Sequence, residues 1–322
     1  MTDADKKGEF VRWESGFRSW VTPDGSSGPS GEGGFKAEPG RYHLYVSYAC
    51  PWAHRTLIFR ALKGLEDAIS VSVVHPLMPP ESWVFGDYPG ATPDHVHGFD
   101  KLHQLYEHSA PGFDGVVTVP VLYDKQRDVI VNNESAEIIR MLNSAFDAWG
   151  SADLDLYPAE LRDEIDAVNA LVYENVNNGV YRTGFATTQT AYEAAFDRLF
   201  ETLDELDARL ARQRYLVGDR ITEADWRLFT TLVRFDPVYH GHFKCNQRRL
   251  VDYPSLWAYT RELYQVPGVA HTVNMDHIKG HYYRSHRQIN PNGIVPKGPA
   301  LDFTAPHGRD RLGGGGTPDV NR

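Results

Sequence analysis

Cysteine is nearly absent: the 322-residue chain carries two, Cys50 and Cys245. Two thiols so far apart in sequence build neither a disulfide framework nor a cysteine-based zinc site, so a reducing compartment is the expected setting. A reactive thiol survives there. Long apolar runs are missing too; none approaches the ~20 residues that cross a bilayer. The opening residues, MTDADKKGEFVRW, have neither the apolar core of a secretory signal nor the Arg/Ser bias of a transit peptide, which makes the cytoplasm the expected location. Basic excess is also lacking. A formal charge of -10 argues against a nucleic-acid surface or an anionic membrane as partner. What is present is an ordinary globular balance, 41% hydrophobic and 24% charged, with a generous 12% of aromatic residues that includes 17 Tyr and 7 Trp.

The length suits two domains with extensions rather than one. Residues 1–41 read as an N-terminal extension, because 21–40 are dense in Gly, Ser and Pro and mark an extended arm without elements. Residues 42–143 give a β-α-β-α-β-β-α order: strand Tyr42 to Ser47, a helix opening at Cys50-Pro51 and ending at Gly64, strand Ile69 to Val74, helix Phe99 to His108, strand Val117 to Tyr123, strand Val129 to Val131 and helix Glu134 to Asn143. This is the order of an α/β thioredoxin-like domain. Residues 158–275 read as an all-helical domain, with helices over Leu161 to Asn177, Tyr192 to Arg212 and Ser255 to Gln265. Thr222 to Asp225 has capping-box spacing before the apolar run Trp226, Leu228, Phe229 and Leu232. Residues 276–322 form a C-terminal extension rich in His, Tyr, Pro and Arg, with a tail, LGGGGTPDVNR, expected to be disordered.

Cys50 stands where a strand ends and a helix begins, and Pro51 presets the φ of the first helical residue. Unpaired N–H groups and the positive end of the helix dipole favour a thiolate there. A lone cysteine is more often an inert buried residue, but the strand–Cys–Pro placement outweighs that reading. Ala53 occupies the position where a dithiol oxidoreductase has its second cysteine, so a mixed disulfide on Cys50 must be resolved by an outside small thiol. Cys245 is expected to be structural. Pro120, inside what otherwise reads as a strand, marks an edge, a bulge or a cis turn. A cis turn would aim the backbone of Val119 at the cysteine, where it could pair with an extended thiol peptide. Glu134-Ser135 opens a helix: the Ser135 hydroxyl and nearby N–H groups suit a carboxylate, and Glu134 suits an ammonium group, although a serine at a helix start is more often a plain cap.

Several segments together resemble one family. Tyr48-Ala49-Cys50-Pro51-Trp52-Ala53-His54-Arg55, Ser82-Trp83-Val84-Phe85, Thr118-Val119-Pro120-Val121-Leu122-Tyr123-Asp124, Asn132-Asn133-Glu134-Ser135, Asn177-Asn178-Gly179-Val180-Tyr181-Arg182, Phe235-Asp236-Pro237-Val238-Tyr239 and His281-Tyr282-Tyr283-Arg284-Ser285-His286 with Ile289-Asn290-Pro291 are similar to the glutathionyl-hydroquinone reductases, the Xi class of glutathione transferases. The resemblance runs from about residue 9 to 300. It implies that Cys50 is the nucleophile, that Trp83, Val119, Pro120, Glu134 and Ser135 line the thiol site, and that Tyr181, Tyr239 and Tyr282 line a quinol pocket. It also implies a homodimer and a reaction in which Cys50 takes glutathione from a glutathionyl-hydroquinone. No Lys or Arg immediately precedes Thr118 to meet the glycine carboxylate, so the cosubstrate is glutathione or another low-molecular-weight thiol. No tightly bound cofactor is implied.

Fourteen histidines raise the question of a metal. His95-x-His97 and His240-x-His242 have no thiolate or carboxylate at ligand spacing, so no metal site is expected. His54, one turn into the helix, is expected to pack rather than act as a base. Two alternatives stay open: an omega-like thiol transferase or dehydroascorbate reductase using the same cysteine, and a non-catalytic ligand-binding protein on a transferase fold.

Overall fold

The computed structural model describes residues 7–29, 31 and 33–314. Most of the tail expected to be disordered, residues 315–322, lies outside them. Two compact units are formed. One comprises Trp13–Asp155 with His271–Ser285, and the other Met1–Arg12, Leu156–Ala270 and His286–Arg322.

The first unit is built on a four-stranded sheet of β3 (Tyr42–Val46), β4 (Ser70–Val73), β5 (Val121–Asp124) and β6 (Val129–Asn132), in the order β4-β3-β5-β6. β3 is buried along its whole length as a central strand, its one polar residue, His43, being hydrogen-bonded to two serines of β4. It pairs parallel with β4 and antiparallel with β5, and β5 pairs antiparallel with β6. Helix α1 (Pro51–Leu62) makes the crossover from β3 to β4, α2 (Leu102–Ser109) leads into β5, and α3 (Ser135–Ser144) follows β6. The expected β-α-β-α-β-β-α order is therefore present. Gly64 ends α1 as foreseen, with the positive φ of 65° that a residue without a Cβ takes at low cost.

Several boundaries and elements differ from expectation, among them a helix, α5 (Gly179–Phe185), which no expected element covers. β5 begins at Val121 rather than Val117, because Pro120 has no N–H to give the ladder. α2 begins at Leu102 rather than Phe99. The long helix expected over Leu161 to Asn177 is α4 (Arg162–Val172) followed by a π-turn, Tyr173–Asn177. The N-terminal arm is not element-free: β1 (Val21–Thr22) and β2 (Phe35–Lys36) pair in parallel, because Val21 and Phe35 are buried apolar residues inside the Gly/Ser/Pro-rich stretch. The C-terminal extension contains a regular helix, α9 (Met275–Ser285), which belongs to the sheet-bearing unit. Its histidines and Gly280 obscure the apolar period that would have announced it.

The second unit is helical, with α4, α5 (Gly179–Phe185), α6 (Gln189–Leu210), α7 (Glu223–Arg234) and α8 (Pro254–Tyr264). The capping box at the start of α7 forms: the Thr222 N–H donates to Asp225 Oδ2 at 2.7 Å while the Thr222 side chain faces the third helical N–H. Asp225 is fully buried and also accepts from Leu216 N and Tyr259 Oη, at 2.9 and 2.7 Å, so its desolvation is offset by hydrogen bonds on both oxygens. A second π-turn, Phe235–Tyr239, extends α7. No helix of the described residues is long and apolar enough to cross a membrane.

Candidate functional site

β3 and β5 run antiparallel with Tyr45 opposite Val121, so the chain leaving β3 and the chain entering β5 lie at the same end of the sheet. The first carries Cys50 and the second Val119. Cys50 is the N-cap of α1, in extended backbone with φ -76° and ψ 122°, and Pro51 occupies the first helical position. Its side chain caps no helical N–H, and the residue is part-exposed. The Cys50 thiol instead donates to the carbonyl oxygen of Val119, with Sγ 3.5 Å away. Two influences thus meet at this sulfur: the carbonyl favours the protonated thiol, and the helix N-terminus favours the thiolate.

Val119 and Pro120 are buried just outside β5, and the peptide between them is cis. The preceding residue is held by a small network. Tyr106, fully buried on α2, donates from Oη to Thr118 O at 2.8 Å, and Asn133 Nδ2 donates to Tyr106 Oη and Thr118 Oγ1 at 3.2 and 3.3 Å. Asn133 also binds the arm, exchanging hydrogen bonds with the Phe17 backbone. The position of Val119 is therefore set by α2, by the loop after β6 and by the N-terminal arm together.

The second helix start, at α3, departs from expectation in one respect. Glu134, expected as the first helical residue, is the N-cap, and its Oε1 accepts from Ala136 N at 3.0 Å. Its Oε2 accepts from Ser15 Oγ at 3.1 Å, and its backbone N–H donates to Asn132 Oδ1 at 2.7 Å. Ser135 is the first helical residue and is buried; Arg55, buried on α1 with its guanidinium over the Trp52 ring, reaches the Ser135 hydroxyl at 3.5 Å. A cation therefore stands beside the helix start that the sequence reading had supplied only with hydroxyl and N–H groups. Trp83, buried in the loop before α2, stacks on His281 of α9, with centroids 4.8 Å apart. His281 Nδ1 lies 2.9 Å from Pro76 O, which fixes it as the donor nitrogen. His54 is buried, with Nε2 2.8 Å from Thr272 Oγ1.

Ser15, Arg55, Asn133 and His281 were not singled out from sequence. Arg55, Asn133 and His281 had one signal, their places in the quoted motifs Tyr48 to Arg55, Asn132 to Ser135 and His281 to His286; Ser15 had none.

Of the three tyrosines, Tyr181 and Tyr239 share an aromatic cluster in the helical unit, with ring centroids 6.1 Å apart and Phe243 stacked on Tyr239. The Arg12 guanidinium lies 4.8 Å from the Tyr181 ring. Tyr239 is fully buried within its π-turn, whereas Tyr181 is part-exposed. Tyr282 lies in the other unit, buried on α9 against His281. Cys245 is fully buried in the helical unit, and burial pushes its thiol well above the ordinary range.

A sheet of this order and a helical second unit define a glutathione-transferase fold, with Cys50 at a helix start facing the carbonyl before β5. Comparison with known proteins agrees. Residues 49–145 match the family described as glutathione S-transferase, N-terminal domain, and residues 189–262 the glutathione S-transferase C-terminal domain. The glutathionyl-hydroquinone reductase YqjG of Escherichia coli is 58% identical over 304 residues, 94% of this chain and 93% of that protein. PcpF of Sphingobium chlorophenolicum, another glutathionyl-hydroquinone reductase, is 56% identical over 91% of this chain and 90% of its own. The glutathione-bound structure of YqjG superposes with a TM-score of 0.90 over 91% of this chain and 96% of that one. The Xi class transferase of Natrialba magadii gives 0.88 at 54% identity, over 92% of this chain and 89% of its own. The chain belongs to the glutathione transferases and, within them, to the Xi class that holds the glutathionyl-hydroquinone reductases.

Proposed function

We propose that the protein reduces S-glutathionyl-hydroquinones to hydroquinones with glutathione, through a mixed disulfide on Cys50. The observation that carries the reading is the placement of Cys50, a part-exposed cysteine at a helix N-terminus whose sulfur meets the carbonyl of Val119 and whose helix offers Ala53 instead of a resolving thiol. Family membership at 58% identity to a glutathionyl-hydroquinone reductase supports it.

Glutathione lies along Val119 as an added strand. Its peptide N–H donates to Val119 O and so takes over the acceptor that the resting Cys50 thiol uses. The proton of that thiol passes to solvent, and the helix end holds the thiolate. The γ-glutamyl carboxylate sits at the start of α3 with the Ser135 hydroxyl and Arg55, and its ammonium meets Glu134; Trp83 and Pro120 wall the site. The Cys50 thiolate then attacks the glutathione sulfur. The sulfur–carbon bond breaks, its electron pair stays on the ring carbon, that carbon takes a proton, and hydroquinone departs. A second glutathione, as thiolate, attacks the mixed disulfide, giving oxidised glutathione and regenerating Cys50. Tyr181, Tyr239 and Tyr282 are assigned to the hydroquinone, since a phenol both donates to and accepts from a ring hydroxyl.

Residues 42–143 are assigned to thiol binding, together with the arm from Trp13 and helix α9 of the same unit, and 158–270 to the helical domain, since 271–275 fall with the sheet-bearing unit rather than in the helical domain expected to reach 275. The protein is taken to work as a homodimer in the cytoplasm, without a tightly bound cofactor. Substrate preference tests the reading: turnover of a glutathionyl-hydroquinone should exceed that of a protein mixed disulfide or dehydroascorbate. The opposite preference would favour an omega-like thiol transferase, and indifference of all activity to alkylation would favour a binding protein.

A further inference from the structure

Away from Cys50, three segments of the sheet-bearing unit meet around a group that sequence spacing kept apart. His97 lies in the loop between β4 and α2, His108 in the last turn of α2, and Asp128 in the turn between β5 and β6. Their donor atoms lie within 4.8 Å of one another. His108 Nε2 is 2.7 Å from Asp128 Oδ2, and His97 Nε2 is 3.4 Å from Asp128 Oδ1.

From this geometry we infer a binding site for a divalent transition metal of the Zn²⁺ type, with His97 Nε2, His108 Nε2 and one Asp128 oxygen as ligands. Two imidazoles and a carboxylate form a borderline-soft donor set that selects Zn²⁺ over the hard ions Mg²⁺ and Ca²⁺. A tetrahedral ion with bonds of about 2.0–2.1 Å needs its donors about 3.4 Å apart, so no pair has to close by more than about 1.4 Å, and the His108–Asp128 pair, 2.7 Å apart, opens by about 0.7 Å. That motion falls to exposed groups, since the His108 and Asp128 side chains are 38% and 51% accessible. The same exposure supplies an entry path and room for a water as fourth ligand.

The surroundings orient the ligands as an outer shell does. Tyr123 Oη donates to Asp128 Oδ1 at 2.6 Å and lies 2.9 Å from His97 Nε2. The His97 ring stacks on Phe99, with centroids 4.8 Å apart. Asp128 holds a left-handed φ of 60°, a conformation that Asp and Asn tolerate better than most side chains, and this turns its carboxylate toward the two rings. In the metal-free protein the His108 Nε2–H donates to the carboxylate; to bind an ion through Nε2 the neutral ring carries its proton on Nδ1 instead. The bound ion pins the β5–β6 turn to the end of α2.

The test is calorimetric titration of tag-free, chelator-treated protein with ZnCl₂, in a Cys50→Ser background so that the exposed thiol cannot serve as a ligand. One Zn²⁺ per chain is expected. His108→Ala and Asp128→Asn should each weaken binding by about 100-fold or more, because outer-shell losses alone cost about 10–100-fold. Asp128→Asn retains a residue suited to the left-handed turn, and circular dichroism confirms that both variants are folded. Zn²⁺ should also raise the Tm of the parent and leave that of both variants unmoved. No binding to the folded parent, or affinity in the two folded variants within about threefold of it, overturns the assignment and leaves the cluster as an ordinary His–Asp–His ion-pair group.

Discussion

Glu134 has two separable duties, which makes it the sharpest probe of the thiol site. As N-cap of α3 it accepts the Ala136 N–H at 3.0 Å, and as a carboxylate it is assigned to the glutathione ammonium. Glu134→Gln keeps one oxygen for the cap, sets its NH2 as a donor against the Ser15 hydroxyl that Oε2 now binds, and removes the charge. Glu134→Ala removes both. Loss of the cap is worth about 1 kcal/mol of stability. Loss of a charge-assisted hydrogen bond to the ammonium is worth about 1.5–3 kcal/mol of binding, or about 13- to 160-fold. Glu134→Gln should therefore melt within a degree or two of the native protein while its KM for glutathione in the regenerating half-reaction rises by at least about tenfold. Glu134→Ala should show the same loss in KM together with a clearly lower Tm. Steady-state kinetics at saturating glutathionyl-hydroquinone and thermal melts of all three proteins supply the readouts. A Gln variant with native KM would refute the ammonium assignment, and an Ala variant with native Tm would refute the cap.

Cys50 should alkylate with iodoacetamide well below the pH at which a free cysteine of pKa about 8.5 reacts, while Cys245, buried and with its thiol shifted upward, stays unmodified in the folded protein; a Cys50 profile overlaying that of a free thiol would undo the activation argument. His43 is buried between Ser70 Oγ and Ser72 Oγ at 2.7 and 2.9 Å, and burial lowers its pKa to about 3. Between about pH 6.5 and 3 the unfolded chain binds a proton at His43 that the folded chain refuses, so native stability falls with falling pH by about 1.4 kcal/mol per unit from this group. Urea melts should show His43→Gln losing less stability on acidification than the native protein; parallel curves would contradict the buried neutral ring. Tyr181→Phe, Tyr239→Phe and Tyr282→Phe should each lower kcat/KM for a glutathionyl-hydroquinone by about 2- to 12-fold, the worth of one hydrogen bond, while sparing hydroxyethyl disulfide. Equal losses on both substrates would make the tyrosines supports of the fold.

The local features of the site were legible in the sequence because each has a short-range cause. A strand, then Cys50 and Pro51, then an apolar period of 3.6 residues is enough to place a cysteine at a helix N-terminus. Pro120 in a β-rich run is enough to mark an interruption. The capping box at Thr222 could be read from four residues. What escaped depends on partners far along the chain. Ser15 and Phe17 lie in an arm whose composition reads as loose, yet they bind Glu134 and Asn133. His281 reaches Trp83 from a helix whose apolar period is broken by polar rings and a glycine. His97, His108 and Asp128 meet only because α2 and the β5–β6 turn end at the same place. Spacing alone holds no information on such meetings. The one-residue shift at the start of α3 follows this pattern: Asn132 holds the Glu134 N–H and the Glu134 carboxylate folds back onto Ala136 as the cap.

The most direct measurement is a single turnover without free glutathione. The reduced protein is mixed with a stoichiometric glutathionyl-hydroquinone, released hydroquinone is quantified, and the chain is digested for mass spectrometry. One equivalent of hydroquinone should appear, together with one glutathione on the peptide containing Cys50, removable by added glutathione. Cys50→Ser should give neither. Hydroquinone released without an adduct on Cys50, or at an unchanged rate from Cys50→Ser, would contradict the mixed-disulfide mechanism.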